Sequence, residues 1–228
     1  MMRTIHLRIA CLYLCLLGSV CSVYGQSREY VRGTSGRIEA GPSFLQLAAL
    51  NETLVAQRYA AVPQNLFALG LAMQRVHKRW YTGASMYNYL VSQSSIDDQK
   101  AVLGYHYFTL RAGVRAHWGE QWQVFPAVGL GAGLLRFQAK PINQSLPTSY
   151  WTGGPLAELS LHATRITPLD PEKGYFVETG FTAGYLRAFE NVWILRGFPL
   201  DEQGVGASPQ GFFLRFTLGM GKWTSQTH

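Results

Sequence analysis

The chain has 228 residues, a formal net charge of +7, and 13% aromatic and 14% charged residues, which fits one domain large enough to hold itself by packing. Cysteine occurs only at Cys11, Cys15 and Cys21, so disulfides, thiol catalysis and thiolate metal sites are excluded from the rest of the chain. The positive charge is dispersed, with no Lys/Arg run interleaved with aromatics, and no nucleic-acid partner is expected.

Arg3 and Arg8 precede an apolar run over residues 9–23 that ends in Val23-Tyr24-Gly25, the pattern of an export signal cut before Gln26. The run is too short to be a comfortable membrane span. Losing Arg3 and Arg8 takes the formal charge from +7 to +5. The expected organisation is a signal at 1–25, a polar lead at 26–36, a β-domain at 37–223 and a tail at 224–228.

Eight segments carry strand character, and no helical period is expected outside the signal. The first, 37–50, is the least regular, although Glu39, Gly41 and Ser43 share a face. In 65–76, Phe67, Leu69, Leu71 and Met73 oppose Ala68, Gly70, Ala72 and Gln74; in 80–91, Trp80, Ala84, Met86 and Leu90 oppose Tyr81, Gly83, Ser85 and Tyr87. Residues 102–138 read as one hairpin about Gly119-Glu120-Gln121. Phe108, Leu110, Ala112 and Val114 oppose Tyr107, Thr109, Arg111 and Arg115 on its first arm; Val124, Pro126, Val128, Leu130 and Leu134 oppose Ala127, Gly129, Gly131 and Gly133 on its second. Centring the pairing on Glu120 puts Arg111 opposite Gly129, Tyr107 opposite Gly133 and Trp118 opposite Trp122. The remaining strands are 152–164, 175–187 and 211–221. Long separators alternate with short ones, and the longest, 190–210, carries Trp193 and Phe198 as candidate binding residues.

Alternation alone also fits a soluble exported ligand-binding barrel, which would turn its apolar face inward. Three features favour the opposite polarity. The polar face is rich in Gly and Ala, as a crowded lumen requires. The mid-strand charges Arg111, Arg115, Glu158, Glu178 and Arg215 keep to that face, where they form an expected lumen network; an Arg turned to lipid near the midplane would cost about 2–4 kcal/mol. Trp118 and Trp122 stand where an interfacial girdle belongs. The fold class is therefore all-β: an eight-stranded antiparallel up-and-down transmembrane β-barrel.

The signal, the eight alternating strands and the closing Phe212-Phe213-Leu214-Arg215-Phe216-Thr217-Leu218-Gly219 resemble the small outer-membrane β-barrels of Gram-negative bacteria, the architecture of the OmpA membrane domain and OmpX. Two departures are Trp223 followed by five more residues, where such chains end on an aromatic, and Pro126 inside a strand, where a bulge or a missing bond is expected. The resemblance implies a place in the cell outer membrane beside lipid and lipopolysaccharide, no cofactor, and a structural or binding role through the outer loops. A role as an accessory barrel of an envelope machine, such as conjugative transfer, with other envelope proteins as partners, fits equally. His162 and Thr164 at i, i+2 are loosely similar to the His-x-Ser of lipid A deacylases but phase toward the lumen. His77, His106 and His117 lack carboxylates at ligand spacing. No catalytic residue and no metal site are expected.

Overall fold

The computed structural model describes residues 32–56, 60–90, 92–96, 99–118, 122–141, 148–189, 192–193 and 209–224. The expected signal and Phe198 lie outside these residues. Eight long strands make the wall: β1 (Arg32–Gln46), β2 (Asn65–His77), β3 (Trp80–Tyr89), β4 (Gln99–Val114), β5 (Trp122–Pro141), β6 (Thr148–Asp170), β7 (Tyr175–Ala188) and β8 (Gln210–Thr224). Each pairs antiparallel with its neighbours in sequence. β8 returns to β1, from Arg32 opposite Thr224 to Gln46 opposite Gln210, so the sheet closes and has no open edge along the barrel.

Period-2 alternation decides which way each side chain points. Along β2 every second residue is buried: Leu66, Ala68, Gly70, Ala72, Gln74 and Val76 face the bore, while Phe67, Leu69, Leu71 and Met73 stand exposed on the outside. The hairpin register follows the pairing centred on Glu120, with Arg111 opposite Gly129, Tyr107 opposite Gly133 and Trp118 opposite Trp122. Pro126 interrupts the ladder without shifting it: pairing stops at Gly113 opposite Ala127 and resumes in the same register at Ala116 opposite Val124. Proline has no N–H to give; on the other edge of β4 the ladder to β3 carries on, with Arg115 N donating to Arg79 O at 2.7 Å.

Among the differences from the sequence expectation, three concern the first strand, a helix and the sixth strand. β1 begins at Arg32 rather than residue 37 and ends at Gln46. Residues assigned to its far end form a helix, α1 (Ala48–Ala56). Ala and Leu favour helix, and Leu47, Leu50 and Leu54 fall at the spacing that lines one face. That face is buried against Tyr89, Leu103, Tyr105, Leu135, Phe137 and Leu186 in one apolar cluster at the long-loop end of the bore. Asn51 ties the return segment down, donating to Val62 O at 2.9 Å and accepting from Val62 N at 2.8 Å. β6 runs on to Asp170 through a register irregularity at Pro168, so the β6–β7 turn is only residues 171–174, with Gly174 at φ +75.

The wall is uneven. A strand crosses a bilayer in about 9–11 residues, whereas β5 has 20 and β6 has 23. Beyond the rim at the long-loop end the surplus stays paired, Gln99 opposite Pro141 and Ala139 opposite Thr148. Ser92–Ile96 adds to one side of this raised sheet and Val192–Trp193 to the other.

Candidate functional site: the filled bore

Six charged side chains are buried among the described residues, three cationic and three anionic: Arg37, Arg111 and Arg215 with Glu39, Glu158 and Glu178. Their formal charges cancel, which a low-dielectric enclosure requires. Glu178 on β7 is held by three side chains from two other strands, β1 and β2. Arg37 reaches it with Nη2 at 2.9 Å and Nε at 3.1 Å, Ser35 Oγ donates at 3.0 Å, and Gln74 Nε2 donates to its two oxygens at 3.1 and 2.9 Å. Arg111 on β4 places Nη2 2.7 Å from Glu158 Oε1 and donates to Tyr87 OH at 2.7 Å, while Nη1 stands 3.7 Å from Glu39. Tyr87 OH in turn donates to Glu39.

Arg215 on β8 is fully buried and held chiefly by rings. Its Cζ lies 3.7 Å from the Tyr87 centroid and 3.8 Å from the Phe213 centroid, and its Nη2 donates to Tyr107 OH. Around it Tyr87, Tyr107, Tyr105 and Tyr89 stack at 4.9–5.7 Å between successive partners. Glycines make room for these groups. The Tyr87 ring lies over Gly70, in the space a Cβ would need. Below this layer His162 is enclosed by hydroxyls, Nε2 at 3.1 Å from Ser160 Oγ and Nδ1 at 2.9 Å from Thr182 Oγ1.

Of the residues the sequence assigned to the lumen, Arg111, Glu158, Glu178 and Arg215 lie in this layer. Arg115 does not. It is half-buried at the short-turn end beside the break opposite Pro126, with Cζ 5.5 Å from the Trp223 ring. Arg37, Glu39, Ser35, Gln74 and Tyr87 escaped the sequence reading of the network. For the first strand the available signal was the alternation Ser35, Arg37, Glu39, Gly41, Ser43, which becomes visible only once the strand starts at Arg32. Trp122 is exposed on the outer face, and its backbone partner is Trp118. Trp193 pairs with Thr152 at the raised sheet. His162 and Thr164 are fully buried inside the bore.

The outside is the reverse of the inside. Ile38, Leu69, Leu71, Met86, Phe108, Leu110, Val128, Leu130, Leu161, Phe181, Leu214, Phe216 and Leu218 are all exposed. They form a continuous apolar belt that no soluble monomer presents to water. With the sheet closed on itself and the six mid-barrel charges enclosed, hydrocarbon is the solvent this surface fits.

The fold is a transmembrane β-barrel.

No protein-family model matches this barrel, and no curated protein matches its sequence. Among solved structures it is similar to Ail, the attachment invasion locus protein of Yersinia pestis, at 11% identity and a TM-score of 0.46, covering 84% of this chain and 99% of that one. It is also similar to a major outer membrane protein from Thermus thermophilus, at 11% identity and a TM-score of 0.45 over 84% and 99% of the two chains. A third similarity is to Neisserial surface protein A, at 7% identity and a TM-score of 0.42 over 83% and 96%. At these values the likeness is one of general shape; the assignment of the barrel stands on its own closed ladder and apolar belt.

Proposed function

We propose that the barrel performs no chemistry and conducts no solute, and that it is a rigid membrane anchor presenting its long-loop end to a binding partner in the envelope or outside the cell. The filled bore carries this reading. Any solute would have to cross the Arg37–Glu178 and Arg111–Glu158 layer and then the apolar cluster around Leu50 and Leu54. Eight strands leave a lumen about wide enough for side chains, and here large ones occupy it.

The enzyme reading has little to rest on. His162 is enclosed by Ser160 and Thr182 inside the wall, away from acyl chains and from any polymeric substrate. The raised sheet formed by the surplus of β4, β5 and β6 favours binding, because it carries the paired residues 99–101, 139–141 and 148–152 beyond the rim at the long-loop end. The test is paired. Refolded protein in planar bilayers is expected to give no conductance steps, and shortening 194–206 is expected to abolish partner capture while heat-modifiable migration on gels persists. Discrete conductance, or an altered lipid A profile in a deletion strain, would reject the reading; capture that survives the shortening would remove that loop from it.

A further inference from the structure

Within the outer belt the surface dips at Gly36. On β1 the outward positions run Thr34, Gly36, Ile38, and a Cβ built at Gly36 would meet nothing within 4 Å. Its cross-strand partners are Met220 on β8 and Met73 on β2, both strongly exposed, and Met73 is followed across the ladder by Ala84 on β3. Two flexible methionines therefore wall an open trough of about 740 Å³ floored by Gly36, Gly83 and Ala84. This space is large enough for a long stretch of hydrocarbon chain, and methionine walls adapt to irregular apolar shapes.

One ladder step nearer the short turns, the same trough changes character. Thr34 lies between Lys222 and Arg75, its partners on either side, and the row continues to Tyr175 and Thr82. Lys222 Nζ sits 5.1 Å from the Tyr175 centroid, and the Thr82 hydroxyl is bonded to Arg75 O at 3.5 Å. Lys222 and Arg75 stand two strand spacings apart, about 10 Å between backbones, within reach of one another's side chains. Arg32 lies below them on β1, and Arg32, Lys78 and Arg75 all bear electrostatically on His77, so this corner of the rim is cationic. Asp170, in the adjoining turn, is already engaged by Lys173 at 3.4 Å.

An apolar trough ending in two cations and a hydroxyl is complementary to an acyl chain ending in a phosphate. The short turns place this end at the periplasmic leaflet, whose lipid is phospholipid. We propose that this trough seats an acyl chain of one anionic phospholipid of that leaflet and that Arg75, Lys222 and Thr34 hold its phosphate. The site is independent of the bore and of the long-loop end, so it stands or falls apart from the binding role argued above.

The test uses the full-length barrel refolded into mixed phosphatidylglycerol/phosphatidylcholine vesicles, extracted into a zwitterionic detergent, with retained lipid counted by native mass spectrometry. Wild type is expected to keep one phosphatidylglycerol in preference to phosphatidylcholine. Arg75→Gln with Lys222→Gln is expected to lower that preference roughly thirtyfold, from the usual worth of two cations at an anionic surface. Gly36→Leu starts from a Cβ that meets nothing within 4 Å, fills the floor and is expected to expel both lipids while heat-modifiable migration stays normal. Retention unchanged in Gly36→Leu overturns the proposal. So does displacement of the lipid by millimolar inorganic phosphate, or stronger retention of lipopolysaccharide than of phosphatidylglycerol.

Discussion

Arg111 and Glu158 meet although their strands are not neighbours. Arg111 on β4 and Glu158 on β6 both lie opposite Gly129 of the intervening β5, and their side chains close to 2.7 Å across it. A Cβ at Gly129 would stand 3.3 Å from both the Arg111 Cγ and the Glu158 Cβ. The missing side chain is thus what lets a salt bridge span three strands. Gly129→Val is expected to force the pair apart and cost about 1–3 kcal/mol, the usual penalty of overpacking.

Removing one member of the pair leaves a buried charge. Glu158→Leu alone is expected to destabilise by about 3–5 kcal/mol, at the lower end because Glu39 remains 3.7 Å from Arg111. Arg111→Leu with Glu158→Leu together is expected to cost clearly less than the two single changes added. Urea titration in lipid vesicles reads the cycle; strictly additive costs would show that the contact carries no coupling.

The polarity of the wall predicts unequal responses at two outward leucines. Leu130, 70% exposed at mid-strand, faces hydrocarbon; Leu169 is exposed near the short turns. Arginine at the first is expected to cost about 2–4 kcal/mol and at the second about 0–1 kcal/mol. Spin labels at Leu110 and Leu130 are expected to report lipid, and a water signal at both would invert the wall.

The helical plug is predicted to loosen separately from the barrel. Leu54→Ala removes a fully buried side chain, at an expected cost of about 2–5 kcal/mol, and Asn51→Ala frees both backbone groups of Val62. Amide exchange is expected to accelerate at Val62 and along α1 while the β5 and β6 amides stay protected. Equal acceleration everywhere would make the plug part of one cooperative unit.

Pro126 is predicted to be the cause of the ladder break. Pro126→Val restores a donor and is expected to slow exchange over residues 114–116, with a gain of up to about 1 kcal/mol. Unchanged exchange there would show that the missing proline donor is not what breaks the ladder.

Much of this architecture was legible before any coordinates. A strand's side chains alternate with period two, so Phe67-Leu69-Leu71-Met73 against Ala68-Gly70-Ala72-Gln74 already assigns two faces, and one tight turn then sets a whole register, Arg111 to Gly129 and Trp118 to Trp122. Strand ends were less legible, because 165–170, 139–141 and 148–151 carry loop-like Pro, Ser and Thr yet stay paired where a neighbouring strand continues past them.

Periodicity is local, and it says only which side chains point inward. Which of them touch depends on how far each strand is offset when the sheet closes, and that offset is settled by β8 meeting β1, at the two ends of the described chain. Closure alone brought Arg37 to Glu178, both opposite Gly219 of β8, and enclosed a mouth whose apolar walls made a helix of 48–56 worth forming.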